Sequence, residues 1–451
     1  MYAMLSASTQ GYDHIRRNAP CEDAGAVTAD DTRRIFAVSD GHGDPNCPRA
    51  AFGARVACDA ALSELSGFCD ALRENDWEAR LLEPGKDRDR LVRQLVVSVM
   101  AKWIRTVNAD LEESPLTEAE RAACDRYLER YDRGERLEHI YGATLIAGLM
   151  TDRYLLLLQQ GDGRCVVFHA DGSADEPVPW DDRCFANVTT SLCSPDAVES
   201  FRYAVVDLEA DPVVACMLAS DGVEDSFPSM ELMIAYCREL LAYAAEHGVE
   251  ALNAHLNETL PDFSRTGSGD DVTLCGVIDP ERAAAFNEVY ERQNAVVRQQ
   301  GVVADLEARM DSMRGMGKLD ALKARYEDAR QRAERARDDL TAAQGALDAY
   351  SDDLMKLEEA EAREPETVLA ITRVIKSFIP DFRREALQRR VEDMTRARDE
   401  AQTRLEDARQ ALEVREAEYD AYRQKWDDLE SRLNEAREAL EALKGEETDA
   451  P

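Results

Sequence analysis

No run of about 18 apolar residues occurs anywhere in the 451-residue chain, so the sequence offers no membrane-spanning helix. Its opening, MYAMLSASTQGYDH, lacks a basic segment followed by an apolar one, and no secretory signal is expected. Cysteine occurs 11 times, an odd count, and never as a Cys-x-x-Cys pair. That pattern argues against a disulfide framework and against a zinc cage, and points to a reducing compartment, the cytoplasm. Basic residues are scarce, 55 Lys+Arg against 91 Asp+Glu, for a formal net charge of −36. A chain this acidic repels a phosphate backbone and an anionic lipid surface, so nucleic-acid and membrane binding are disfavoured. The acidity suits basic peptide partners or simply keeps the surface soluble.

Cysteine and histidine are both missing after Asp279-Pro280, and glycine and proline thin out there. With 44% apolar residues the chain can bury a core, and its length calls for two or three units. Residues 1–279 read as a globular α+β domain. Apolar runs at 35–38, 145–149, 154–158, 166–168, 213–218 and 272–278 have the look of buried strands, bounded by Gly and Asp. Helices are expected at about 48–66, 88–111, 117–131 and 229–247, and the segment 70–137 as a helical elaboration of this domain.

From 280 to 451 the vocabulary is Ala, Glu, Arg, Asp, Gln and Leu, that of long helices. Steps of three and four run from Leu319 through Leu322, Tyr326, Ala329, Ala333, Ala336, Leu340, Ala343, Leu347, Tyr350 and Leu354 to Leu357. A second series runs from Leu387 through Leu405, Tyr419, Trp426 and Leu433 to Leu443. Such spacing is the seam of a coiled coil, with Arg398 and Arg415 as polar interruptions that can fix register. The economical arrangement is an antiparallel hairpin with its tip near 361–382, where apolar residues such as Leu369 and Ile375 cluster. The tip either caps the hairpin or docks a partner, and the arm pairs with itself, a second copy or another protein.

The chemistry-bearing segments are short and acidic: PCEDAG with Glu22 and Asp23, IFAVSDGHGD with Asp40 to Gly43, QQGDGRCVVF with Asp162, CMLASDGVEDSF with Asp221 and Asp225, and TGSGDDVTLCGVI with Asp270 and Asp271. Any one Asp-Gly pair is ordinarily a turn. Repeated at the ends of several apolar strands, the carboxylates become a set that a rigid scaffold can aim into one volume. Clustered carboxylates repel one another unless cations lie among them, and an oxygen-only donor set suits Mg²⁺ or Mn²⁺ rather than zinc.

In this order the motifs resemble those of the type 2C metal-dependent serine/threonine protein phosphatases, over roughly residues 5–279. The resemblance implies the family's antiparallel β-sandwich flanked by helices, an α+β fold, here extended by the long α-helical coiled coil. It implies two Mg²⁺ or Mn²⁺ ions bridged by Asp40, with Gly41, Asp221, Asp270, Glu22 and Asp23 completing their surroundings, and a third ion at Asp162 and Asp225. It further implies attack on phosphoserine or phosphothreonine by a water bridging the two ions, with His42 as the acid for the leaving alkoxide. The family usually carries an arginine after the first strand to grip phosphate. Here the stretch reads GYDHIRRNAP, leaving His14 or Arg17 for that task. The expected partners are a phosphoprotein substrate and a Ser/Thr kinase that works opposite the phosphatase.

Two other motifs lead nowhere. CDRYLER, 124–130, has the Cys-x5-Arg spacing of cysteine phosphatases but none of the glycines that let backbone amides cradle phosphate. Gly267-Ser268-Gly269 is not followed by lysine and instead shapes the turn before Asp270. The alternative to an enzyme is a phosphatase-like binding or scaffold protein acting through its coiled coil.

Overall fold

Among the described residues, ten strands carry the first part of the chain: β1 (Ala3–Thr9), β2 (Ala24–Ala29), β3 (Arg34–Ser39), β4 (Leu145–Met150), β5 (Tyr154–Gln160), β6 (Arg164–His169), β7 (Ala174–Asp175), β8 (Arg202–Asp207), β9 (Val213–Ala219) and β10 (Val272–Ile278). In the computed structural model, which describes residues 1–124, 127–184, 188–315, 317–362 and 382–448, they form two antiparallel sheets. One has the order β1-β10-β9-β6-β7 and the other β2-β3-β4-β5-β8.

Because strand side chains alternate faces, a strand buried on both sides feeds two cores. In β3, Phe36 and Val38 face the other sheet, and meet Cys165, Val167, Leu218 and Val277 there. Ile35 and Ala37 face outward and are covered, with Leu149 and Leu156, by the helices Ala50–Glu74 and Lys86–Glu113. On the far side, Leu5, Phe168, Met217 and Leu274 are covered by the helices Met230–His247 and Val249–Thr266. The first unit is thus helix, sheet, sheet, helix.

All six apolar runs form strands. β1, β2 and β8 escape that reading because Ala, Ser, Thr and polar ends dilute their apolar signal; β1 is specified by pairing with β10, from Ala3 opposite Ile278 to Thr9 opposite Val272. The helix expected over 117–131 is instead two short ones, Glu118–Ala123 and Leu128–Asp132.

The contacts divide the chain into Met1–Arg298 and Gln299–Pro451. The first unit runs past 279 because the helix Asn287–Gly315 begins by burying Tyr290, whose ring meets Phe168 edge-on at 6.1 Å. Asn294 then donates to the Ala235 carbonyl at 3.0 Å.

In the second unit the helices Lys318–Ala362 and Phe382–Thr448 lie antiparallel, since partners run in opposite order along them. Tyr326 stacks on Tyr419 at 5.8 Å, Arg390 covers the Tyr350 ring at 5.4 Å, and Arg384 reaches Glu358 at 3.1 Å. Leu322, Ala329, Ala333, Ala336 and Leu347 are buried on one helix, and Ala401, Leu405, Leu433 and Leu440 on the other. Arg398, on the seam, turns its guanidinium to Asp399. Of the expected hairpin tip, residues 363–381 lie outside the described residues. Among the described residues, no helix is long and apolar enough to cross a membrane.

Candidate metal centre

Antiparallel registry brings the acidic segments to one end of the sandwich. Ala24 at the start of β2 opposes Ser39 at the end of β3, Leu145 opposes Gln160, and Ala219 at the end of β9 opposes both Arg164 and Leu274. Each turn at this end carries a carboxylate.

Asp40 follows β3 and is held by its backbone: its amide donates to the Thr144 hydroxyl at 3.0 Å, and its carbonyl accepts from the Thr144 amide at 2.8 Å. Asp162 sits in the β5–β6 turn and Asp221 in the turn after β9. One oxygen from each of Asp40, Asp162 and Asp221 falls within 4.8 Å of the others. Burial, followed by the nearby charges of Asp221, Asp23, Asp162 and Asp270, pushes the Asp40 carboxyl well above its usual range. Burial and then Asp162, Asp23 and Asp270 do the same to Asp221. Burial pushes Glu22 and Asp23 up to about 7. Each of these carboxyls is thus destabilised in its charged form, by burial first and then by the neighbouring carboxylates.

Divalent cations fit the residues present. The donors are oxygens, and one oxygen each of Asp23 and Asp162 is buried with no hydrogen-bond partner. An unpaired buried carboxylate oxygen costs stability that a cation returns. Asp162, expected to belong with Asp225 at a third ion, is placed among the central carboxylates; Asp225 is exposed, its carboxyl raised by partial burial and then by Glu224 and Asp162.

Asp270 stands at the rim, its side chain 52% exposed, with His14 Nε2 3.6 Å from its Oδ1. Gly41 donates its amide to the Glu22 carbonyl at 3.1 Å, and a Cβ there would lie 2.8 Å from that same oxygen, so only glycine fits.

The structural keystone is Asp271, which the sequence shows only as the neighbour of Asp270. It is buried, and its Oδ1 accepts from the Gly11 amide at 2.5 Å. Its Oδ2 accepts from the Glu22 amide at 2.6 Å and lies 3.1 Å from His14 Nδ1. Gly222 approaches it so closely that a Cβ would sit 2.0 Å from the Asp271 carbonyl oxygen. Asp271→Asn replaces one acceptor by a donor facing backbone amides. We expect it to cost about 2–4 kcal/mol in urea unfolding, whereas a surface Asp→Asn at Asp152 leaves stability within about 0.5 kcal/mol.

Of the two residues considered for phosphate, the structure brings His14 to the carboxylates. Arg17 is exposed and pairs with Asp13 at 3.6 Å. His42 is partly buried, its amide donating to the Gly142 carbonyl at 3.0 Å. Burial, then His139, pulls its imidazole down to about 4, so it is neutral at pH 7. Cys124 points its thiol at the Pro45 and Asn46 carbonyls, 3.9 and 4.0 Å away, as a buried side chain rather than a nucleophile.

With this geometry in view, a family model described as protein phosphatase 2C matches residues 10–261. The fold is similar to that of a bacterial serine phosphatase, 14% identical over 62% of this chain and 98% of that one, with a TM-score of 0.39. It is also similar to the Mycobacterium tuberculosis serine/threonine phosphatase PstP/Ppp, 17% identical over 61% of this chain and 98% of that one, with a TM-score of 0.36. RsbX in complex with magnesium is 14% identical over 61% of this chain and 94% of that one, with a TM-score of 0.30. No curated protein sequence matches the chain.

Proposed function

The chain belongs to the protein phosphatase 2C family, and from that premise we propose that it is a Mg²⁺- or Mn²⁺-dependent phosphatase of phosphoserine and phosphothreonine in proteins, working in the cytoplasm. The observation that carries this reading is the convergence of the partly buried Asp40, Asp162 and Asp221 at one end of the sandwich. We propose Asp40, Gly41, Asp221, Asp270, Glu22 and Asp23 as the surroundings of two ions, with Asp162 shared between them and the site of a third that Asp225 completes.

When bound, two divalent cations supply an activated water and neutralise charge on the phosphoryl group. The protein holds the ligands still through Thr144 and Asp271. His14, its ring fixed by Asp271, is the group proposed to face the substrate phosphate. His42, two residues from Asp40, is the group proposed to give the leaving oxygen its proton.

The eleven cysteines are free thiols, ten of them buried, which suits a reducing compartment. The helical arm is proposed to act as a coiled coil that brings the phosphatase to a partner, such as an opposing kinase, or to a second copy of the chain. Light scattering at two concentrations separates self-association from a monomer.

Hydrolysis of p-nitrophenyl phosphate with Mn²⁺, with Mg²⁺ and with EDTA tests the enzyme. Turnover with either ion and none in EDTA is expected. Folded protein that is silent with both ions overturns the reading and leaves a binding module carried by the arm.

A further inference from the structure

The helical insertion between β3 and β4 has no part in the chemistry above, yet it grips the loop that carries Gly41 and His42. Arg49 ends that loop, its side chain only 12% exposed. A buried guanidinium is tolerated when its five donors are met. Here Nε donates to Glu120 Oε1 at 2.8 Å and Nη2 to Glu120 Oε2 at 3.2 Å, a two-pronged pair. Nη1 donates to Asp110 Oδ2 at 2.8 Å and to the Tyr141 hydroxyl at 3.1 Å, and Nη2 also reaches the Pro115 carbonyl at 3.3 Å. The Tyr141 hydroxyl closes the ring by donating to Asp110 at 2.6 Å. Glu120 is itself locked, accepting from the Thr117 amide at 2.7 Å in a reciprocal cap of the helix Glu118–Ala123.

The same insertion holds the loop at a second place. The Tyr131 hydroxyl donates to the Asn46 carbonyl at 2.8 Å and lies 2.9 Å from His139 Nδ1, which in turn lies 3.6 Å from the Cys47 thiol. Between these anchors and Asp40, Gly41 makes a single β-bridge with Ala143 and His42 donates its amide to the Gly142 carbonyl at 3.0 Å, while Gly43 and Asp44 have no regular structure. Both bonds end on the 142–143 strand entry next to Tyr141, and Arg49 holds that segment too, through the Tyr141 hydroxyl and its own amide to the Ile140 carbonyl at 3.0 Å.

We propose that Arg49 is a positioning residue for phosphoester hydrolysis: through Asp110 and Glu120 it bolts the 41–49 loop to the helical insertion, and so sets where Gly41 and His42 stand. This rests on the phosphatase reading. Arg49 touches neither substrate nor ion; it acts through the loop. Sites of this kind lose rate steeply when a reacting group drifts by about 1 Å.

The test uses the full chain with Arg49→Met, Arg49→Lys, Glu120→Gln and the double variant Arg49→Met/Glu120→Gln. Turnover of p-nitrophenyl phosphate, Mn²⁺ binding by calorimetry, thermal unfolding and amide hydrogen exchange over 41–47 are measured on each. Arg49→Met is expected to lower kcat about 10- to 100-fold, leave KM within about twofold, and speed exchange in 41–47. Lysine, a point charge without the fork, restores only part of kcat. The double variant falls no lower than Arg49→Met alone, because the two groups act as one unit. If Arg49→Met does not fold, Glu120→Gln and Arg49→Lys carry the same comparison with smaller kcat losses.

Folded variants with wild-type kcat and unchanged exchange over 41–47 overturn the proposal, as does a loss of kcat matched by an equal rise in KM. An inactive wild type overturns the phosphatase reading instead. The exchange data then show separately whether Arg49 holds the loop.

Discussion

Asp221→Asn and Asp40→Asn are each expected to abolish metal-dependent turnover, by about 10³-fold or more, and yet to make the metal-free protein more stable. The two effects share a cause. Asp40 and Asp221 stand partly buried near one another and near Asp23, Asp162 and Asp270, so without cations burial and the neighbouring charges raise the energy of each carboxylate. Replacing one carboxylate by an amide of the same shape removes a buried charge and several repulsive pairs. A gain of about 1–3 kcal/mol is expected for urea unfolding in EDTA, the size of a relieved buried charge. In Mn²⁺ the order reverses, because the wild type gains binding free energy that the variants lose. Variants that lose activity and are also less stable in EDTA would mean that Asp40 and Asp221 hold the fold by some contact other than through a metal.

The second large effect is a pH dependence that metal erases. A carboxyl whose folded pKa lies above its unfolded value binds more protons folded than unfolded. Its contribution is complete below about pH 4 and is lost as pH rises through the folded pKa. Glu22 and Asp23, both pushed up to about 7, behave this way, and Asp40 and Asp221, raised well above the usual carboxylate range by burial and then by neighbouring carboxylates, act in the same direction. His42 works in the opposite sense: pulled down to about 4, it adds stability as pH rises from there to about 6.5, its unfolded value. Above pH 6.5 the His42 contribution is complete, so the window from pH 6.5 to pH 8.5 separates the carboxyls from it; His169, raised against the pull of burial by Asp175 and Asp211, also weakens there, but equally with and without metal. Unfolding in EDTA is expected to weaken by about 2 kcal/mol across it. Saturating Mn²⁺ should flatten the slope, since a bound cation keeps the carboxylates charged at every pH in the window. A slope equal in EDTA and Mn²⁺ would show that the carboxyls do not bind the ion.

Local periodicity explains what the sequence made legible. The seam from Leu319 to Leu357 and its partner from Leu387 onward follow from helical spacing alone, and Leu322, Ala333, Ala401 and Leu405 are buried accordingly. Apolar runs such as 154–158 likewise announce strands buried on both faces. β1 and β2 do not, because Ala, Ser and Thr carry little signal and the partner strand decides their place.

The site shows the same division. Asp40, Asp221 and Asp270 stand out beside Gly at strand ends, whereas the work of Asp271 lies in amides of Gly11 and Glu22 that are some 250 residues away in sequence. Asp162 reads as an outlying residue in its own turn and becomes central only through the registry of β4 with β5 and of β6 with β9. The role of Arg49 is invisible locally, since Asp110 and Glu120 come from helices 61 and 71 residues further on.

Release of inorganic phosphate from a phosphoserine peptide, followed in one sample of the full chain as EDTA and then excess Mn²⁺ are added, tests the central claim most directly. The acidic centre predicts that release stops with EDTA and resumes with Mn²⁺. Release that continues through EDTA, or folded protein that releases no phosphate with Mn²⁺ present, would contradict it.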